Sequence, residues 1–134
     1  MNLVYDSCAL IAYLEDEPGA DEMEQLLSHS SNAGFIHAIN LCEIFYHVRR
    51  KHGEEAAQAA YAAIRRLRLG IREDLDEEIW QHAARLKADY RRVALADCIC
   101  VSLADRVDAQ MVTCDRHEIE ALVAAGACQA LFIG

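Results

Sequence analysis

The fold is decided by the first fourteen residues, Met1-Asn-Leu-Val-Tyr-Asp-Ser-Cys-Ala-Leu-Ile-Ala-Tyr-Leu14, because they join an apolar strand to an apolar helix through one acidic residue. Residues 2–5 predict a buried strand, and residues 7–14 predict a helix that Ser7 could cap. Asp6, between them, is the only charged side chain of the stretch. A lone carboxylate is costly to bury, and no Lys or Arg precedes Arg49, so Asp6 needs a partner from elsewhere in the chain.

Two further acids stand alone in apolar surroundings. Glu43 is the only formal charge between Gln25 and Val48, and Asp97 is the only charge in residues 93–104. Distant bases, backbone donors or a shared cation could satisfy such groups. We interpret the acids as ligands of one metal ion.

Strand and helix patterns alternate along the chain, which is typical of an α/β fold with a mainly parallel sheet. The expected fold is a three-layer α/β/α sandwich in a single domain of residues 1–134, a length that can bury a substantial core. The predicted strands are residues 2–5, 34–37, 71–73, 109–113 and 129–133. The predicted helices are residues 7–14, 20–31, 40–52, 54–69, 76–90, 96–106 and 117–125.

This order of elements brings four acids together. Asp6 and Asp115 follow the carboxyl ends of predicted strands, where open α/β sheets bind their ligands. Glu43 and Asp97 lie near the starts of helices that can face the same crevice. Ligands that are all oxygen atoms favour Mg²⁺ or Mn²⁺ over zinc, and such an ion can promote hydrolysis of a phosphodiester.

Charge is unevenly distributed along the chain. The net charge is −9, yet residues 49–92 hold eleven of the thirteen Lys and Arg residues. These bases could form ordinary solvated helix faces, or a rim that binds a phosphate backbone. The candidate residues for contacting such a backbone are Arg49, Arg50, Lys51, Arg91, Arg92 and Arg116.

The expected location is the cytoplasm. No apolar run reaches the roughly 18 residues of a membrane span, and the N-terminus lacks the pattern of a signal peptide. In a reducing compartment the six cysteines are expected to pack as small apolar side chains and to form no disulfide.

Four short motifs resemble those of the PIN-domain ribonucleases, most closely the VapC-type toxins of bacterial toxin–antitoxin pairs. The motifs are Val4-Tyr-Asp-Ser7, Asn40-Leu-Cys-Glu43, Arg92-Val-Ala-Leu-Ala-Asp97 and Met111-Val-Thr-Cys-Asp-Arg-His117. Each motif alone is weakly specific, but the ordered set of four is strong and spans nearly the whole chain. Cys98, Cys114 and Glu118 depart from the residues that are usual in this family.

The resemblance implies a PIN-like fold and a metal-dependent endoribonuclease. By this resemblance, Mg²⁺ or Mn²⁺ is held by Asp6, Glu43, Asp97 and Asp115. Ser7 and Thr113 match polar positions beside the metal, and Asn40 is a further candidate for orienting a ligand. The implied partners are an RNA substrate, a cognate antitoxin that occupies a groove on the toxin, and a second copy of the chain in a homodimer.

Two other interpretations stay open. A ribonuclease without metal could use His47 and His117 as acid and base, but that would leave Asp6 and Asp97 unexplained. A catalytically silent PIN-like module could instead serve only for binding within a complex. The aromatic residues at helical spacing are expected in the core, although some could line a partner groove. They are Phe45, Tyr46, Tyr61, Trp80 and Tyr90.

Overall fold

The computed structural model describes all residues, 1–134, and contains one sheet of five parallel strands with seven helices. The strands are β1 Asn2–Tyr5, β2 Ala33–His37, β3 Gly70–Arg72, β4 Gln110–Thr113 and β5 Ala130–Phe132. The helices are α1 Ser7–Leu14, α2 Ala20–Ser28, α3 Ala38–His52, α4 Glu54–Arg66, α5 Glu77–Asp89, α6 Leu95–Arg106 and α7 Arg116–Ala124. The predicted α/β class and the order of its elements are confirmed.

The helices cover both faces of the sheet. Successive residues of a strand point to opposite faces, so Leu3 and Tyr5 pack with α1 to α4, while Val4 packs with α5 to α7. Each face has its own core of 13 buried residues. The expected three-layer sandwich follows from these two cores.

The strand order β3-β2-β1-β4-β5 places a topological switch point at the centre of the sheet. From β1 the chain continues through β2 and β3 on one side, then returns to β4 on the other side of β1. Tyr5 lies opposite Val112 in this central pair. Both central strands end at one edge, which opens the crevice where open α/β sheets bind ligands.

Helix α1 has a different cap from the expected one, and α3 begins two residues earlier than expected. Asp6, rather than Ser7, caps α1, because its Oδ1 accepts the Ala9 N–H at 2.9 Å. The third helix begins at Ala38 because the His37 ring accepts the Ile39 N–H at 3.0 Å through Nδ1. Nε2 of the same ring therefore carries the proton and donates to the Asp74 carbonyl at 2.9 Å.

Two of the five helical aromatic residues expected in the core lie at the surface instead. Tyr46 is 45% exposed and Trp80 is 50% exposed. Tyr46 instead packs under the Arg50 guanidinium, 5.0 Å from its ring centre. None of the seven helices combines the length and the apolar character that a bilayer span requires.

Helix α6 is fixed at both ends. At its C-terminal end, Arg106 bonds Asp76 at 2.6 and 2.8 Å and Asp74 at 3.0 Å. At its N-terminal end, the Lys87 ammonium donates to the carbonyls of Arg91 and Val93 at 2.9 and 2.8 Å. The position of α6 matters because its third residue is Asp97.

Candidate metal centre

Five carboxylates meet at the switch point. Asp6 follows β1, Asp115 follows β4, and Glu118 lies in the first turn of α7. Glu43 reaches the crevice from α3 and Asp97 from α6. None of the five forms an ion pair with a Lys or Arg side chain, because every ion pair of the chain lies elsewhere.

The closest group consists of Asp97, Asp115 and Glu118, whose ligand oxygens all lie within 4.8 Å of one another. Asp6 and Glu43 stand outside this group, yet their charges raise the pKa of Asp97. The structure thus gathers all four acids that the sequence singled out, and it adds Glu118. In the sequence Glu118 stood out only as a departure from the residue usual in the family, because it lies in a helix rich in polar residues.

Asp6 is the most deeply buried of these acids, with 1% of its surface exposed. Besides the cap to Ala9, its oxygens accept from the Cys8 thiol at 3.1 and 3.3 Å. Burial is the main reason that the pKa of Asp6 lies well above its ordinary value, and the Thr113 hydroxyl partly opposes this rise. A cation beside Asp6 would favour its ionised form.

Glu43 is oriented by two polar side chains. Its Oε1 accepts from the Ser7 hydroxyl at 2.8 Å and from the Asn40 amide at 3.3 Å. The other amide atom of Asn40, Oδ1, is buried and has no hydrogen-bond partner in the protein. These contacts place Ser7 and Asn40 beside the candidate ligand, and leave Oε2 of Glu43 without a protein donor.

Thr113 acts on both strand-end acids, since its hydroxyl accepts the Asp115 N–H at 3.0 Å and lowers the pKa of Asp6. It therefore fixes the start of the segment that carries Asp115. All three polar residues singled out from the sequence thus touch an acid of the cluster.

Crowding appears in the acid–base properties of the cluster. Burial, followed by the charges of the four neighbouring acids, raises the pKa of Asp97 from 3.8 to about 7. Burial and the nearby Asp115 also raise the pKa of Glu118. Carboxylates held this close repel one another unless a proton or a cation intervenes.

The two histidines of the metal-free alternative have separate surroundings. His47 Nε2 is 3.2 Å from Glu15 Oε1, on the side of α3 that faces the end of α1. His117 is exposed at the start of α7. No contact in the structure joins the two rings, so no histidine pair is assembled.

The candidate RNA-binding residues form two separate groups. In the first, Arg49 pairs with Glu54 at 2.9 Å and Lys51 pairs with Glu15 at 3.1 Å. These residues lie six to eight positions after Glu43, roughly 9–12 Å further along α3. The second group is exposed, forms no ion pair and lies in the segments that carry Asp97 and Asp115. It comprises Arg91, Arg92 and Arg116.

The fold and the acidic crevice define an α/β domain with a carboxylate site at its switch point. The sequence matches the sequence model of the PIN domain over residues 3–122, and the chain belongs to the PIN-domain family. This confirms the family inferred from the four motifs. No curated protein sequence matches the chain.

Solved structures with the same fold include toxin–antitoxin proteins. A chain of the DNA-bound VapBC complex from Salmonella typhimurium has a TM-score of 0.77 at 18% identity, with 98% of each chain covered. VapBC2 from Rickettsia felis, bound to a promoter DNA fragment, has a TM-score of 0.76 at 18% identity and the same coverage. Mycobacterium tuberculosis VapC20, a toxin that cleaves the sarcin–ricin loop, has a TM-score of 0.70 at 15% identity. The alignment covers 89% of this chain and 94% of the VapC20 chain.

The raised pKa of Asp97 predicts how the stability of the metal-free protein depends on pH. The Asp97 carboxyl binds its proton more tightly in the folded state than in the unfolded state. Stability is therefore lost as the pH rises from about 4 through about 7. Asp97→Asn should reduce this loss, and thermal melts in EDTA at about pH 5.5 and about pH 8 would measure it. Asp105→Asn, an exposed acid of the same helix, is the matched control. If the stability of Asp97→Asn depends on pH as strongly as that of the wild type, Asp97 is not crowded by the neighbouring carboxylates.

Lys87→Met should weaken Mn²⁺ binding. It removes the ammonium that holds the loop before α6, and thereby the support for Asp97, but it retains the apolar stem of the side chain. Loss of an outer-shell support typically costs about 10- to 100-fold in metal affinity. Isothermal titration with Mn²⁺ measures the change, with Arg85→Met on the exposed face of α5 as the control. A lower melting temperature with an unchanged Mn²⁺ affinity would assign Lys87 a purely structural role.

Proposed function

We propose that this PIN domain is an endoribonuclease that depends on Mg²⁺ or Mn²⁺ and acts as the toxin of a toxin–antitoxin pair. The observation that carries the proposal is the gathering of five carboxylates without a basic partner at the switch point. Structural ion pairing, the commonest use of a buried acid, is absent from this site. A cation is the remaining partner that would stabilise all five in their charged forms.

The donors fit a hard divalent cation. Carboxylate and amide oxygens are the preferred ligands of Mg²⁺ and Mn²⁺. Asp97, Asp115 and Glu118, whose oxygens lie closest together, would hold the ion together with Asp6 and Glu43. The unpartnered Oδ1 of buried Asn40 is a further polar atom that the ion or its hydration shell would satisfy.

When bound, the cation would neutralise charge on the scissile phosphate and favour attack by water. The protein side chains then have separate roles. Ser7 and Asn40 hold one oxygen of Glu43, so that its free oxygen can accept a proton from the attacking water. Thr113 and Lys87 fix the segments that carry Asp115 and Asp97.

RNA is the proposed substrate because of the motif resemblance and because exposed bases lie in the segments that carry Asp97 and Asp115. Arg91 and Arg92 lie in the loop that leads into α6, and Arg116 directly follows Asp115. A phosphate backbone bound by these three residues would cross the crevice. The paired Arg49 and Lys51 suit this role less well.

An antitoxin is the proposed protein partner, and a homodimer the proposed assembly. A groove of about 430 Å³ lies between α3 and α4, lined by Leu41, Phe45, Tyr46 and Tyr61 among others. Its apolar lining would suit a segment of the antitoxin. The similar VapBC structures, which are toxin–antitoxin proteins, support a partner of this kind.

Cleavage of RNA should require the metal and Glu43. Purified protein with Mg²⁺ or Mn²⁺ should yield products with a 5′-phosphate and a 3′-hydroxyl, and EDTA should abolish the reaction. Glu43→Gln should lower the rate by about 10²- to 10⁴-fold if Glu43 accepts the proton. Glu120→Gln, an exposed acid of α7, serves as the control. Cleavage that persists in excess EDTA would overturn the metal mechanism and favour the histidine alternative.

The two basic groups can be separated by their salt dependence. The double variant Arg91→Ala, Arg92→Ala should raise KM for RNA and reduce the slope of log K against log salt by about 1–2, because two phosphate contacts are lost. The matched double variant Arg49→Ala, Arg50→Ala should change the slope little. The opposite result would place the RNA along α3.

A further inference from the structure

Two thiols lie inside the carboxylate site and have no role in the proposed reaction. Cys8 is the second residue of α1, and Cys114 separates Thr113 from Asp115. The strand register brings them together, because β1 and β4 are neighbours with Tyr5 opposite Val112. The residues just after these strands therefore meet at the same edge of the sheet.

The contact between the two cysteines is direct. The Cys114 N–H donates to Cys8 Sγ at 3.2 Å, which brings the backbone of one cysteine against the sulfur of the other. Both residues are half-buried, so a small solute can approach them. No other pair of the six cysteines is joined by a hydrogen bond.

We propose that Cys8 and Cys114 form an oxidative modification site, at which a peroxide converts the two thiols to a disulfide. One sulfur attacks a peroxide oxygen, the O–O bond breaks, and a sulfenic acid and one water are formed. The second sulfur then displaces the hydroxyl as a second water and forms the S–S bond. Two thiols are oxidised, one hydrogen peroxide is reduced to two waters, and a thiol reductant reverses the change.

The bond would alter the carboxylate site. In the reduced protein the Cys8 thiol donates to both oxygens of Asp6. The disulfide has no proton to donate, and it ties the start of α1 to the segment that carries Asp115. Its formation should therefore move Asp6 relative to Asp115 and weaken divalent metal binding, a consequence that rests on the proposed function.

Peptide mapping of the full-length protein tests the bond itself. After treatment with hydrogen peroxide and trypsin, residues 107–116, which contain only Cys114, should appear linked to residues 1–49. The latter peptide contains both Cys8 and Cys42, so the linkage should persist in Cys42→Ser and disappear in Cys8→Ser. Dithiothreitol should separate the peptides. Absence of the link, or its loss in Cys42→Ser, would overturn the proposal.

Mn²⁺ titration tests the consequence. The oxidised protein should bind Mn²⁺ about 10-fold or more weakly than the reduced protein, and dithiothreitol should restore the affinity. Cys114→Ser should bind equally before and after peroxide. A linked protein with unchanged Mn²⁺ affinity would overturn the coupling to the site. If the reduced protein binds no Mn²⁺ while the link forms, the proposed function fails and the modification site stands.

Discussion

Repulsion among five carboxylates at one edge of the sheet is the constraint on which the rest of this structure depends. Asp97 shows its strength, because burial and four acidic neighbours raise its pKa to about 7. The protein holds the acids together by fixing the backbone beneath them. Asp6 caps α1, Thr113 fixes the start of the Asp115 segment, and Lys87 fixes the loop before α6. The geometry is therefore set before any ligand binds, as a preorganised cation site requires.

Much of this arrangement could be predicted from the sequence, because isolated acids in apolar runs are conspicuous. Asp6 and Asp97 stand out for that reason, and the alternation of apolar segments indicated the α/β fold. Glu118 could not be found in this way, since its neighbours Arg116 and Glu120 are charged as well. Its role depends on α7 starting beside α6, which is a tertiary contact that no local pattern encodes.

The features that the sequence did not predict have a physical explanation too. Helical spacing shows which side chains share a stripe, but not whether a neighbouring helix covers it, so it could not show that Tyr46 and Trp80 lie at the surface. The Cys8–Cys114 contact depends on strand register, which joins residues more than a hundred positions apart. Such pairings appear only when the order of the strands is known.

Anomalous diffraction from crystals soaked in Mn²⁺ at about pH 8, above the raised pKa of Asp97, tests the central claim most directly. We expect an anomalous peak about 2–2.5 Å from carboxylate oxygens of Asp97 and Asp115, with Glu118 or Asp6 completing the shell. A crevice with no peak at saturating Mn²⁺, in which the acids instead share protons with one another, would contradict the account.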